Sequence, residues 1–118
     1  MNPRRGDRVT VPPLESQWEV RFATSGAATG WEELCRHALG NTRRCLEILQ
    51  TEPRSLMNPD RQHRLRGDLA TGRHNGKDLD QWEYEVTSGG RVRYLIDEPA
   101  RAVWLVYASP RHPKDTDR

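Results

Sequence analysis

Two alternating segments on either side of Ser88-Gly89-Gly90 constrain this chain more than any other feature. Trp82, Tyr84 and Val86 are apolar and separated by Glu83 and Glu85, while Val92, Tyr94 and Ile96 follow the loop with Arg91 and Arg93 interleaved. A period of two belongs to a strand with one buried face. Side chains on paired strands point to the same side of a sheet, so the two apolar sets share a face only if an odd number of residues joins the strands. A three-residue loop, 88–90, with glycine in the left-handed position, meets that condition. The register predicted on this basis sets Tyr84 across from Tyr94 and Val86 across from Val92. On the other face it sets Glu85 across from Arg93 and Thr87 across from Arg91, with Glu83 nearby. One face of the hairpin is core, and the other gathers two arginines and two glutamates.

The rest of the chain supplies what that hairpin packs against. Trp18, Val20 and Phe22 alternate with Glu19 and Arg21, which predicts an earlier half-buried strand. Ser25-Gly26-Ala27-Ala28 is expected to be loop, and Thr29 with Glu32 fits a capping box at a helix start. Trp31, Leu34, Cys35, Ala38 and Leu39 recur at helical spacing, as do Cys45, Leu46 and Leu49, with Gly40-Asn41 as a C-cap between them. Two helices, or one bent there, are expected to end at Pro53, whose ring clashes with a continuing turn. Residues 54–81 are polar, with Leu65 and Leu69 as anchors and 71–78 as a mobile loop. The run 102–108 is apolar throughout, as a central strand covered on both faces would be. The order is strand, helices, then a three-stranded antiparallel meander: an α+β domain with its helices on one face of the sheet.

Composition narrows the class. At 118 residues the chain fits one domain, expected over residues 17–114, with tails at 1–16 and 115–118. Hydrophobic residues are 34%, somewhat low but sufficient for one core. No apolar run approaches the roughly 20 residues of a membrane span, and the charged N-terminus lacks the apolar stretch of a secretory signal. Two cysteines without a leader read as reduced thiols, and a cytoplasmic location follows. The net charge of +2 gives no strong field toward nucleic acid. Arginine outnumbers lysine, however, only Lys77 and Lys114 being lysines, and its planar fork suits phosphate. Cys35 and Cys45 and the four histidines lack metal-ligand spacing, and Ser25–Gly30 lacks the Lys-Ser/Thr end of a phosphate-binding loop. Neither a metal nor a cofactor is expected.

Two readings of the charged face stand open. Arg91 and Arg93 with Glu83 and Glu85 suit an anion-handling site, with arginines on a phosphate and a carboxylate as base. The same residues suit a solvated face of cross-strand ion pairs, each worth under about 1 kcal/mol. Ser109-Pro110-Arg111-His112-Pro113-Lys114 leaves the last strand directly and brings a histidine, which titrates nearest neutral pH, to its end. All four tryptophans fall on apolar faces.

Four stretches together resemble the RelE/ParE superfamily of bacterial toxins from toxin–antitoxin modules. They are Leu65-Arg66-Gly67-Asp68-Leu69, Trp82–Val86, Gly90-Arg91-Val92-Arg93-Tyr94-Leu95-Ile96-Asp97 and Arg111-His112-Pro113-Lys114. The resemblance spans about residues 18–114. It implies a RelE-like fold, a helical pair on an antiparallel sheet, and one of two activities. RelE-like members are ribosome-dependent messenger RNA endonucleases that block translation, and ParE-like members inhibit DNA gyrase without nuclease chemistry. A cognate antitoxin is the implied protein partner, for which some of the tryptophans are expected to be exposed. By position Arg91 matches the phosphate-contacting arginine, Tyr94 the aromatic of that strand, and His112 and Lys114 the C-terminal polar group. Many relatives carry a basic residue where this chain has Glu85. The implied endoribonuclease uses Arg91 and Arg93 as phosphate clamp, His112 as acid or base, and Glu85 and Lys114 as further proton-transfer candidates. A non-toxic member of the family is the third alternative.

Overall fold

The computed structural model describes residues 3–9 and 11–111. Strand β1 (Glu19–Phe22) leads into helices α1 (Ser25–His37) and α2 (Leu39–Thr51). Then come β2 (Gln62–Arg64), a single 3₁₀ turn (Gly67–Leu69), β3 (Thr71–His74), β4 (Lys77–Glu85), β5 (Arg91–Asp97) and β6 (Ala102–Ser109). The class is α+β, with two helices and a mixed six-stranded sheet in the order β1-β6-β5-β4-β2, β3 lying beside β2 along β4. β1 runs parallel to β6, and β4, β5 and β6 form an antiparallel meander.

Helix α1 starts earlier than its sequence suggests. Thr24, in extended conformation directly after β1, caps it by accepting a 2.9 Å hydrogen bond from Ala27 N, so 25–28 are helix rather than loop and Thr29 is not the cap. The small residues that resemble a loop are a packing surface. A Cβ on Gly30 would stand 1.6 Å from the carbonyl oxygen of Ala108, so only glycine lets α1 lie this close to β6. The helices part at Ala38, which closes α1 and opens α2, and Gly40-Asn41 fall inside the first turn of α2 instead of ending α1. Asn41 reaches across to the sheet, its Nδ2 donating to the carbonyl of Val86 at 3.0 Å. α2 ends at Thr51, two residues before Pro53.

Helices and sheet enclose one core, in which Trp31, Leu34, Cys45 and Leu49 meet Phe22, Trp82, Tyr84, Val86, Val92, Tyr94, Ile96, Val103 and Leu105. At about 25 cal/mol per Å² of apolar surface this burial is the main stabilising contribution. Tyr94 is fully buried here. Its hydroxyl donates to the carbonyl of Pro53 at 2.8 Å and accepts from Gln62 Nε2 at 3.0 Å.

Three expectations are corrected. Residues 71–78 are not a loop but the hairpin of β3 and β4, turned by Asn75 and Gly76, both at positive φ (52° and 78°). Asn-Gly is the favoured two-residue turn, and it goes unnoticed because the flanking strands are polar and do not alternate. Residues 6–9 are not a free tail. Gly6 N donates to Phe22 O at 2.8 Å, Phe22 N to Asp7 O at 3.0 Å and Val9 N to Val20 O at 2.9 Å, so the arm covers the outer edge of β1. β6 is not covered on both faces, since Trp104, Val106 and Tyr107 are only half-buried. Among the described residues no helix is long and apolar enough to cross a membrane.

Candidate active site on the helix-free face of the sheet

The parity argument holds for faces but not for partners. Glu83, Glu85, Arg91 and Arg93 all lie on the face away from the helices, yet Glu83 pairs with Arg93 and Glu85 with Arg91. Likewise Trp82 opposes Tyr94 and Tyr84 opposes Val92, each two residues from the expected register. The joining loop has five residues, 86–90, instead of three. Side-chain hydrogen bonds explain the longer loop: Thr87 Oγ1 accepts from Gly90 N at 2.8 Å, while Asn41 of α2 holds the Val86 carbonyl. Arg91 closes it from the other side, its Nη1 donating to the carbonyls of Thr87, Ser88 and Gly90 at 3.0–3.1 Å.

The two-residue shift makes Glu83, not Glu85, the centre of the cluster. Arg93 Nε donates to Glu83 Oε2 at 2.9 Å, within the range of a charge-assisted hydrogen bond. Arg91 Nε stands 3.7 Å from the other oxygen, Oε1, and Arg91 Nη1 stands 3.9 Å from Glu85 Oε2. The side chains of Glu83, Arg93 and Arg91 are 5%, 7% and 12% exposed, whereas that of Glu85 is 31% exposed. The cluster is therefore a buried network and not the solvated face of independent ion pairs that the alternation also allowed. Glu85 is its most accessible carboxylate, and among the described residues that carboxylate accepts no hydrogen bond.

A β-bulge adds an aromatic residue. Tyr94 pairs with Leu105 while Arg93 pairs with Tyr107, leaving Val106 as the extra residue in β6. The extra residue reverses the alternation and aims Tyr107 at the helix-free face, where its ring lies under the Arg93 guanidinium, 5.7 Å from centroid to Cζ. Tyr107 is thus the aromatic beside Arg93 on this face, while Tyr94 is the aromatic of its strand alone. Tyr94 points into the core, where burial pushes its phenol pKa up, and it cannot touch a ligand on this face. Nothing in the uniformly apolar run 102–108 reveals a bulge, so Tyr107 is missed from sequence.

Of the expected site residues, Arg91, Arg93 and Glu85 come together here, while His112 and Lys114 lie outside the described residues. Ser109 pairs with Arg91, and the chain is followed to Arg111, whose backbone N donates to Ser109 Oγ at 3.0 Å. Trp18, Trp31 and Trp82 are buried, which leaves only Trp104 half-exposed among the tryptophans expected to meet a partner.

The same face carries a second cluster at the far end of β5. The His74 ring packs against Trp104 with centroids 4.2 Å apart and the planes tilted by 42°, and Lys77 Nζ lies 3.4 Å from Asp97 Oδ2. His74 Nε2, Trp104 Nε1 and Asp97 Oδ1 are buried there and have no hydrogen-bond partner among the described residues. Cys35 and Cys45 are free thiols, and burial raises the pKa of both. No protein family, curated protein or solved structure matches this chain.

Proposed function

We propose that the chain is a toxin of the RelE/ParE type, RelE-like in fold, that cleaves messenger RNA on the ribosome in the cytoplasm and is held in check by a cognate antitoxin. The observation that carries this reading is the convergence of Arg91 and Arg93 on the helix-free sheet face, with Tyr107 beside them and the C-terminal segment leaving the sheet next to Arg91. Two fixed guanidiniums suit the non-bridging oxygens of a phosphodiester, whose negative charge grows in the transition state. In the reaction a ribose 2′-oxygen bonds to the adjacent phosphorus and the bond to the 5′-oxygen breaks. A base takes the 2′-hydroxyl proton and an acid gives one to the departing 5′-oxygen. Glu85 is the accessible carboxylate for the first transfer, and His112 and Lys114 are the candidates for the second. The ribosome supplies much of the substrate positioning, which suits a chain of net charge only +2.

The test is induced expression in a bacterium with transcript ends mapped by primer extension. New 5′ ends inside translated codons, and their loss in Arg91→Ala at about 10²–10³ lower activity, are expected. Unchanged toxicity of Arg91→Ala overturns the assignment.

One observation favours the ParE-like reading, inhibition of DNA gyrase without chemistry. Glu83 already offsets part of the charge of the arginine pair from within the sheet face, so a phosphate has to compete with a resident carboxylate. Growth arrest with intact transcripts and induction of DNA damage supports that alternative, and harmless expression supports a member without toxic activity.

A further inference from the structure

We infer that Arg91 carries an anion seat guarded by Glu83, a resident counter-ion that lies beside the seat without filling it, shapes the arginine pair and competes with incoming phosphate. The Arg91 guanidinium divides its nitrogens among different surroundings. Nη1 is taken by the three loop carbonyls, which fixes the plane and position of the group. Nε faces Glu83 Oε1 at 3.7 Å, too far for a hydrogen bond. Nη2 has no hydrogen-bond partner among the described residues. The Nε and Nη2 hydrogens point the same way, and this edge of arginine grips a carboxylate or phosphate with two parallel bonds. On Arg91 that edge is presented and made rigid, but not filled by a direct bond.

Glu83 cannot fill it because its carboxylate is committed to Arg93. Oε2 sits 2.9 Å from Arg93 Nε, and its strand partner is Arg93, not Arg91. The carboxylate thus leans toward one arginine and satisfies the other only through space. A tetrahedral oxyanion on the Nε/Nη2 edge would make the two bonds that Glu83 leaves unmade, against repulsion from that same carboxylate. Removing the charge of Glu83 while keeping its shape therefore opens the seat. Its biological sense rests on the phosphodiester-cleaving reading, in which substrate phosphate takes this place, but its test needs neither toxicity nor RNA.

The test is the binding of inorganic phosphate to the purified full chain, followed by calorimetry and by thermal unfolding against sodium chloride of equal ionic strength. Glu83→Gln is expected to bind phosphate at least about tenfold more tightly than the wild type, and adding Arg91→Ala to it should abolish the gain. Asp97→Asn, which removes a buried carboxylate at the other end of β5, should bind as the wild type does. If Glu83→Gln does not fold, Glu83→Asp keeps the charge on a shorter stem, withdraws it further from Arg91 and should show an intermediate gain. Folded Glu83 variants that bind phosphate no better than the wild type overturn the inference. Phosphate binding in Glu83→Gln together with intact transcripts in the cell leaves the anion seat standing and removes the nuclease reading alone.

Discussion

The two ends of β5 present the same ingredients on the same face and use them differently. At one end Glu83 lies between Arg91 and Arg93, all three side chains are largely shielded from water, and one contact is a 2.9 Å hydrogen bond. At the other, Asp97 is similarly buried, yet its cation, Lys77, is half-exposed and 3.4 Å away. One Asp97 oxygen, one His74 nitrogen and the Trp104 indole nitrogen find no partner there among the described residues. A buried ion pair holds its geometry only when the remaining polar atoms are also satisfied, because desolvation rivals the Coulombic gain. The Glu83 end meets that condition more fully, with Arg91 anchored by three carbonyls. The Asp97 end is a place where β3 is held against the sheet by a tilted aromatic contact and by shape, at a cost in unmade hydrogen bonds.

Three substitutions and one titration put this contrast at risk. Glu83→Ala should cost the most, about 3–5 kcal/mol in denaturant unfolding, because it removes the buried carboxylate that accepts from Arg93 and faces Arg91. A loss under about 1 kcal/mol would mean the pair is no better built than a surface one. Gly72→Ala comes next at about 1–3 kcal/mol. Its Cβ would stand 2.7 Å from the Cδ2 of Leu95, itself buried, so the hairpin must lift or Leu95 must change rotamer. Asp97→Asn should lie within about 1 kcal/mol of the wild type, since it removes a buried charge that is poorly paired while keeping its shape. Placed beside Glu83→Gln, it tests directly whether similar burial means similar dependence on charge.

The smallest effect belongs to His74. Burial against Trp104 lowers its pKa below the ordinary 6.5, partly opposed by the Asp97 carboxylate, with Lys77 the nearby cation. The unfolded chain then binds this proton more readily than the folded one, so stability should fall as pH drops below about 6.5 and level off once both states are protonated. The difference between wild-type and His74→Gln unfolding curves, followed from about pH 4 to about pH 8, isolates this residue from the other histidines. A His74 contribution that instead shrinks as pH rises would reverse the sign and make the Asp97 attraction dominant.

The sidedness of the charged face is legible in the residue pattern, because alternation has a period of two and any odd loop preserves it. Which glutamate meets which arginine is not. Loop length depends on the Thr87 hydroxyl, on the Arg91 side chain and on Asn41 reaching over from α2, side-chain contacts that a period of two does not encode. The same division separates Glu85, visible as an acidic strand residue, from Glu83, whose central role follows only from the shift of two residues. Tyr107 belongs with the second group, since its direction is set by one extra residue in β6.

Apolar periodicity and hairpin parity are local properties, and they suffice for the α+β class, the helical pair, the meander and the shared face of Arg91, Arg93, Glu83 and Glu85. The close approach of α1 to β6, the arm along β1, the strand pairing and the sharing of Glu83 between two arginines come only with tertiary packing. Each depends on a backbone or side-chain group meeting a partner brought near by folding, whether at the Gly30–Ala108 contact, at the edge of β1 or across the loop 86–90. Periodicity says which side of the sheet a residue occupies, and only packed distances say what it touches there.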